Sequence, residues 1–372
     1  MAELDQITVA THRYIRSTPK LLDFVFQRDP LLAYLKLNVR EDYDGGRLIG
    51  ENFWYGVLPG GPYLKGKDFN ITQPQVEQEL QFVPKFFEAD VTLYKEDIQV
   101  INKGPAAAFK IIESRVQNAY QTLGAHLALG LYLNGINANY TPNFNGLPEI
   151  FQDGAAGTAS WDGNTYATYG TITRGGAVGA VLNKTPVNVA GVIEYNTLEE
   201  TYGDASFGDA EWEPNLGVTT FLGYSFIKEK FQTQQRFNNI QDVKIGFKGM
   251  EFNNAILVRS RYCPGSYLFG PGVLGTADPA AVMFMTEMSG GALTHYPIPA
   301  AFVAGAFWET LWWVNARKPL MNFYVTDDSE YGFGFTGFKV AQGNTKVAGQ
   351  VLFGGAFTAA PRYGMQLYGI SG

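Results

Sequence analysis

The residue types that could do chemistry are few in this chain of 372 residues, and each can be held against the spacing its chemistry requires. GFGFTG at 332–337 places Gly332, Gly334 and Gly337 at the spacing of a dinucleotide-binding loop. Such a loop must open a helix whose amino terminus meets the pyrophosphate. The residues that follow, FKVAQGNTKVAGQV, are strand-like, so the run is read as a turn or bulge in a sheet. His12, His126 and His295 lie far apart, and no pair has the short helical spacing of a zinc site. His126, three residues past Leu123, reads as a packed or partly exposed helix residue. The single cysteine, Cys263, sits in VRSRYCPG with two arginines but no histidine to serve as base. It is read as a buried or strand-end thiol.

The acidic cluster Glu199, Glu200, Asp204, Asp209, Glu211 and Glu213 could serve a glycosidase or a calcium site. Glycoside cleavage needs two carboxyl groups facing each other across a bond, and a calcium loop needs regularly spaced oxygen ligands, which this cluster lacks. It reads as a solvated or interface acidic face. NIT at 70–72 and NYT at 139–141 fit the glycosylation pattern but mean little without secretion. No catalytic constellation forms, so the chain is read as a non-enzyme with no cofactor and no metal.

Composition points the same way. Apolar residues make up 46% of the chain and charged residues only 17%, so it folds, and some of its surface is expected to be covered by other chains. The 43 glycines, 27 phenylalanines and 21 tyrosines suit a strand-rich fold. A net charge of −7 argues against a constitutive nucleic-acid binder. One cysteine excludes an intrachain disulfide framework and fits a reducing compartment. The amino terminus lacks the apolar core of a signal peptide, and the nearest approach to a membrane span, IPAAFVAGAF at 298–307, is ended by Glu309. No membrane association is expected.

The elements that would position any function are clearer. Residues 17–40 give two short helical patterns with Ser17 and Asp29 as caps and leucines that must dock on something larger. Residues 41–75 form a long hairpin-like loop, broken by Gly45-Gly46 and Gly60-Gly61, in which alternation puts the rings of Phe53, Trp54 and Tyr55 on both faces. Alternation around Val91, Leu93, Ile98 and Val100 predicts strands. PAAAFKIIESRVQNAYQTLGAHLALGLYLNG at 105–135 predicts one uninterrupted helix of about 45 Å. Its stripe of Phe109, Ile112, Val116, Ala119 or Tyr120, Leu123, Leu127 and Leu131 would bury one face along the full length. Gly124 and Gly130 are expected to admit another backbone. Further helices are read at 192–203 and 218–237, strands at 252–263 and 311–325, and two strands around a turn at Pro361. No repeat and no clean linker divides the chain, so its domains are expected to share extensive contacts.

This order resembles the major capsid protein of tailed bacteriophages, whose fold also builds encapsulin compartments and herpesvirus capsid floors. The helix at 105–135, FNGLPEIFQDG at 144–154, EPNLGVTTFLGYSFIKEKFQTQQRF with IGFKGMEFNNAILVRSRYCPG at 213–265, and VAGQVLFGGAFTAAPRYGMQLYGI at 347–370 carry the likeness. The resemblance implies an α+β fold with an amino-terminal arm (1–40), an extended loop (41–75), a peripheral domain (76–143 and 326–372) with its spine helix at 105–135, and an axial domain (144–325). It implies self-assembly as pentamers and hexamers into an icosahedral head around double-stranded DNA, contacted weakly. Phe53, Trp54, Tyr55, Tyr63, Lys65 and Lys67 would then meet a neighbouring subunit. Some relatives cross-link a loop lysine to a neighbour's asparagine, but no asparagine and acid can be matched to Lys65 or Lys67, so no cross-link is expected. The first helical pattern begins near residue 18, which leaves no room for a cleaved scaffolding segment and implies a separate scaffolding protein. A portal, a maturation protease and a decoration protein are the other implied partners, with assembly in the host cytoplasm and residence in the virion. The alternatives are an encapsulin-like compartment shell and, from another class, a carbohydrate- or receptor-binding β-rich protein.

Overall fold

The longest strand, Lys346–Ala359, builds a sheet on both of its edges. The computed structural model describes residues 29–66, 68, 72–96, 111–135, 142–207, 211–233, 239–241, 248–265, 288–289, 292–293, 309–340 and 345–371. One edge of the long strand pairs antiparallel with Lys85–Tyr94, from Lys346 opposite Tyr94 to Gly355 opposite Lys85. The other edge pairs in turn with Lys339–Val340, Gly332–Phe335 and Met321–Thr326, and Arg40–Tyr43 adds a parallel strand beyond the last. Period-two patterning sets the faces: Ala89, Val91 and Leu93 are buried, while Glu88, Asp90 and Thr92 are exposed. Ile98 and Val100 lie outside the described residues. The GFGFTG run is the bulge that its strand-like context predicted. The register slips between Gly332 and Gly334, and a Cβ on Gly334 would sit 1.8 Å from the Ser329 carbonyl oxygen.

The long helix is described over Ile111–Tyr132 and packs on Lys85–Tyr94 and Lys346–Ala359. Its predicted start at 105–110, with Phe109, lies outside the described residues. The one-sided stripe holds only for the first half, where Ala119 and Leu123 are buried and Glu113, Arg115 and Tyr120 are exposed. From Ala125 onward, Leu127, Ala128, Leu129, Leu131, Tyr132 and Leu133 are all buried. This half joins a single core drawn from both large sheets, so it has neighbours on every side. The expectation for the glycines is also corrected. Gly124 faces open space, and Gly130 lies against the Asn143 side chain. Close backbone approach falls just past the helix, at Gly146, where a Cβ would lie 1.9 Å from the Leu133 carbonyl oxygen.

A second sheet runs Val187–Val192, Met365–Ser371, Glu309–Val314, Leu216–Thr219, Ala255–Arg259, Lys248–Phe252 and Asn239–Gln241 in spatial order. All six residues of Glu309–Val314 are buried, because both faces of the sheet are covered. Trp312 joins the core shared with the first sheet, and Trp313 points into a second core under the helices Tyr195–Ala205 and Phe221–Thr233. The helix predicted from 218 starts later, at Phe221. The β-branched run Val218-Thr219-Thr220 favours extended backbone, and Thr220 Oγ1 accepts the Gly223 N–H at 3.0 Å. The helix predicted at 192–203 runs Tyr195–Ala205, with Val192 ending a strand.

The segment 311–325 resolves into strands in different sheets, Glu309–Val314 and Met321–Thr326, separated by a turn that contains Pro319. The predicted turn at Pro361 is a short 3₁₀ segment, Pro361–Tyr363, from which the chain passes out of the first sheet into the second. Both of these crossings tie the sheets together, in keeping with the missing linker. The end of the segment read as an arm is also tied in. Asp29 caps the helix Pro30–Asn38, accepting the Leu32 N–H at 2.8 Å, and Leu31, Leu35 and Val39 are fully buried. Ser17 lies outside the described residues.

Gly146→Ala is expected to cost about 3 kcal/mol, since the new methyl must displace main chain rather than a side chain. A thermal unfolding midpoint within a degree of the parent would contradict this packing.

Candidate functional site: a projecting apolar hairpin

Strands Ile49–Trp54 and Glu77–Phe82 pair antiparallel, with Ile49 opposite Phe82 and Trp54 opposite Glu77. Their root is apolar on one face: Ile49, Leu80 and Phe82 are buried, and Phe53 packs partly against the main core. Phe82 meets Tyr169 edge-on at 5.3 Å between ring centroids, and the Tyr169 hydroxyl donates to the Ala359 carbonyl oxygen at 2.5 Å. The Gln81 N–H bonds to the Gly170 carbonyl oxygen at 3.0 Å.

A second bond set joins the root to the first sheet. Glu51 Oε1 accepts from Asn322 Nδ2 at 2.9 Å, from the Tyr324 hydroxyl at 2.8 Å and from Thr358 Oγ1 at 2.5 Å. Burial, with the Glu51 charge beside it, pushes the Tyr324 phenol upward. A carboxylate taking three donors at one oxygen is a directional clamp that apolar packing alone would not supply.

Beyond this root the hairpin leaves the body. Trp54 is 79% exposed, Val57 91%, Leu58 67%, Tyr63 64% and Leu64 81%. Scattered exposed apolar residues are ordinary, but here five large ones share one loop. Local bonds hold its neck: Trp54 Nε1 donates to Glu77 Oε1 at 2.9 Å, and the Tyr55 hydroxyl to the Gln75 carbonyl oxygen at 2.7 Å.

Of the residues singled out in the sequence, Phe53 turns inward, Tyr55 is half-buried, and Trp54, Tyr63 and Lys65 are exposed on the hairpin. Lys67 lies outside the described residues. Sequence reasoning passed over Val57, Leu58 and Leu64, although GVLPGGPYLKG carries the signal: apolar residues in a loop too rich in glycine and proline to bury them. It also passed over Glu51, which carries no such signal.

The candidates for chemistry that fall on described residues are local. Cys263 is fully buried with Sγ 3.3 Å from Thr310 Oγ1, and burial pushes its thiol up, away from the thiolate form. Glu199 accepts from the Tyr195 hydroxyl at 2.5 Å and from Asn253 Nδ2 at 3.1 Å, while Glu213 lies by the Tyr202 hydroxyl at 3.4 Å. These acids take hydrogen bonds from tyrosine and asparagine side chains. His126 is half-buried on the long helix. His12, His295, Asp209, the asparagines of both glycosylation patterns and residues 298–307 lie outside the described residues. Among the described residues no group of three or more His, Cys, Asp or Glu could hold a metal ion, and no helix is long and apolar enough to cross a membrane.

Buried Arg174 and Glu149 make a structural cluster. Arg174, 2% exposed, donates to the carbonyl oxygens of Leu182, Glu149 and, at 3.1 Å, Ile150. It places a cation at the carboxyl ends of the short helices Leu147–Ile150 and Ala180–Leu182. Glu149 is pushed up to about 8 by burial, against the opposing pull of the Asn145 amide and Arg174.

With this architecture in view, the fold class is that of capsid subunits, with agreement over nearly the whole chain. No family model matches the chain, and no curated protein matches it in sequence. Among solved structures, it is similar to a subunit of the cyanophage A-1(L) capsid, at 11% identity and a TM-score of 0.61 over 96% of this chain and 98% of that one. It is similar to the SrpI encapsulin of Synechococcus elongatus, at 8% identity and a TM-score of 0.54 over 98% and 95%. It is also similar to a head subunit of Helicobacter pylori bacteriophage KHP40, at 8% identity and 0.52 over 96% and 94%. The chain thus has the fold of phage capsid subunits and of an encapsulin, as the sequence resemblance implied.

Two outcomes are expected. Glu51→Ala strands three donors at the hairpin root and should lower stability by about 2–4 kcal/mol, with proteolysis appearing first between residues 49 and 82. Because the Glu149 pKa is raised on folding from 4.5 to about 8, its contribution to stability is full below the unfolded value and is lost as pH rises through 8. Unfolding midpoints measured from pH 5 to 9 should therefore fall less steeply in Glu149→Gln than in the parent.

Proposed function

We propose that the chain is a structural shell subunit, a major capsid protein that self-assembles as pentamers and hexamers into an icosahedral head around double-stranded DNA. The observation that carries this reading is agreement with a capsid subunit over 96% of the chain, joined to a hairpin whose large apolar side chains are mostly exposed. In this reading Trp54, Tyr63 and Lys65, with Phe53 and Tyr55 beneath them and Lys67 beyond, form the arm that meets a neighbour. The division into arm (1–40), extended loop (41–75), peripheral domain and axial domain (144–325) belongs to the same proposal, with Met365–Ser371 lying in the second sheet. Each large apolar side chain covered would contribute about 1.5–3 kcal/mol before the cost of ordering the arm. The rooted base favours a large share of that being realised, since less freedom is left to lose.

The same proposal includes a separate scaffolding protein, a portal, a maturation protease and a decoration protein as partners, and residence in the virion after assembly in the host cytoplasm. A net charge of −7 would keep packaged DNA from adhering to the wall. A second reading, an encapsulin-like compartment, is favoured by the full-length likeness to the encapsulin subunit. Purified particles separate the two: a genome inside supports the head, and an enzyme cargo without a genome supports the compartment. A protein that stays monomeric at high concentration and binds glycans would instead favour the carbohydrate- or receptor-binding class.

Trp54→Ala should weaken subunit association by about 2 kcal/mol, roughly 30-fold, while changing the unfolding midpoint of the isolated subunit little. Sedimentation of assembled particles against subunits, with thermal unfolding of the subunit, reads both. Equal loss in the two would count against an intersubunit arm.

A further inference from the structure

The amino-terminal helix Pro30–Asn38 is held at its first turn by a side chain that belongs to neither core. Asp29 is 4% exposed and lies where three parts of the chain meet. Its Oδ2 accepts the Leu32 N–H at 2.8 Å. Its Oδ1 accepts from the Ser260 hydroxyl in a short bond, and from the Tyr132 hydroxyl at the end of the long helix at 3.4 Å. Ser260 Oγ also accepts the Tyr262 N–H at 3.1 Å, so the hydroxyl that reaches Asp29 is itself fixed. One carboxyl therefore ties the helix to the long helix and to the end of strand Ala255–Arg259. Its donors are two neutral hydroxyls and main-chain amide. No cation is paired with it among the described residues.

We propose that this junction is a proton-operated latch: with Asp29 protonated the amino-terminal helix is held against the body, and ionisation of Asp29 loosens it. A buried carboxylate without a counter-ion is costly, and a helix that undocks returns that charge to water. The helix amino terminus and the donors favour the ionised form, but burial outweighs them and pushes the Asp29 carboxyl up to about 6. Among the described residues the other groups facing the junction do not compensate. Tyr132, from the long helix, is pushed well up by burial and then by the Asp29 charge. Cys263, from the segment after Ser260, is pushed up by burial, with Asp29 and then Glu309 of strand Glu309–Val314 adding to it. The helix's cation Lys36 lies toward its far end, 3.9 Å over the Phe333 ring, and Arg40 of the strand that follows pairs with Asp42.

The sign follows from linkage. The folded carboxyl holds its proton more tightly than an undocked one, so docking is firmest below about pH 4, weakens as pH rises through 6, and changes little beyond. A difference of about two units corresponds to roughly 100-fold in the docking equilibrium. Because Leu31, Leu35 and Val39 are fully buried, loosening would admit water to apolar surface under the first sheet. The inference concerns the subunit itself and does not depend on the shell reading.

Hydrogen exchange of the full chain tests it, with the amides of residues 31–38 followed from pH 4.5 to 7.5 and corrected for intrinsic exchange. In the parent, protection of this helix should fall about 25-fold across this window, which begins above the undocked value and so reads part of the full 100-fold. In Asp29→Asn it should stay level, because the amide oxygen can still accept the Leu32 N–H while the amide N–H groups face the two hydroxyls. A level parent profile, or the same slope in the variant, overturns the proposal. Ser260→Ala supplies a second readout: losing a donor to the ionised form should move the midpoint to higher pH, and an unmoved midpoint overturns the proposal as well.

Discussion

The structure depends on a strand that has no solvent side. Glu309–Val314 is buried at every position, and its consecutive tryptophans serve opposite cores. Trp312 meets Tyr132 and Phe151, with ring centroids 6.4 Å away in each case, while Trp313 stacks on Phe252 at 5.3 Å. A strand that presents alternate residues to two hydrophobic layers couples them, because neither layer can shift without disturbing the other. The chain then crosses to the first sheet within a few residues of Val314, and crosses back after Ala359. The two sheets form one body for this reason, despite their different neighbours.

Within that body, buried polar groups stand where apolar packing would leave orientation loose. Glu51 orients the hairpin root, Arg174 gathers the ends of two short helices, and Asp29 joins the amino-terminal helix to the long helix and the second sheet. Hydrogen bonds of this kind add little net stability, but a wrong arrangement leaves a charge or donor unsatisfied, which is costly. They therefore select one geometry. A stiff body with a clamped root is what an extended apolar hairpin needs if it is to meet the same surface on every neighbour, and that links these clusters to the proposed assembly.

Legibility in the sequence followed the range of the interaction. The Asp29 cap, the alternation in Lys85–Tyr94, the bulge at Gly332–Gly334 and the turn at Pro361 all arise from contacts within a few residues, and the local pattern announced them. The long helix was legible as a helix but not in its burial. Its second half is apolar on more than one side because strands distant in sequence surround it, and a single-stripe reading cannot register that. The apolar and aromatic neighbours of Val218 and Thr219 suit either period, and pairing with strands Ala255–Arg259 and Glu309–Val314 decides for extended chain.

The sequence by itself determined the order of elements and the presence of an aromatic hairpin, since short-range periodicity and turn residues carry those properties, while the α+β class came with the family resemblance. The tertiary structure decided which ring of Phe53-Trp54 faces the core, and which acids are solvated and which are buried. It also decided that Glu51, Glu149 and Asp29, three ordinary carboxyls in the sequence, stand at the junctions of the fold. Burial and donor geometry are set by segments more than a hundred residues apart, as with Asp29 and Ser260 or Glu51 and Thr358, and no local pattern encodes such a meeting.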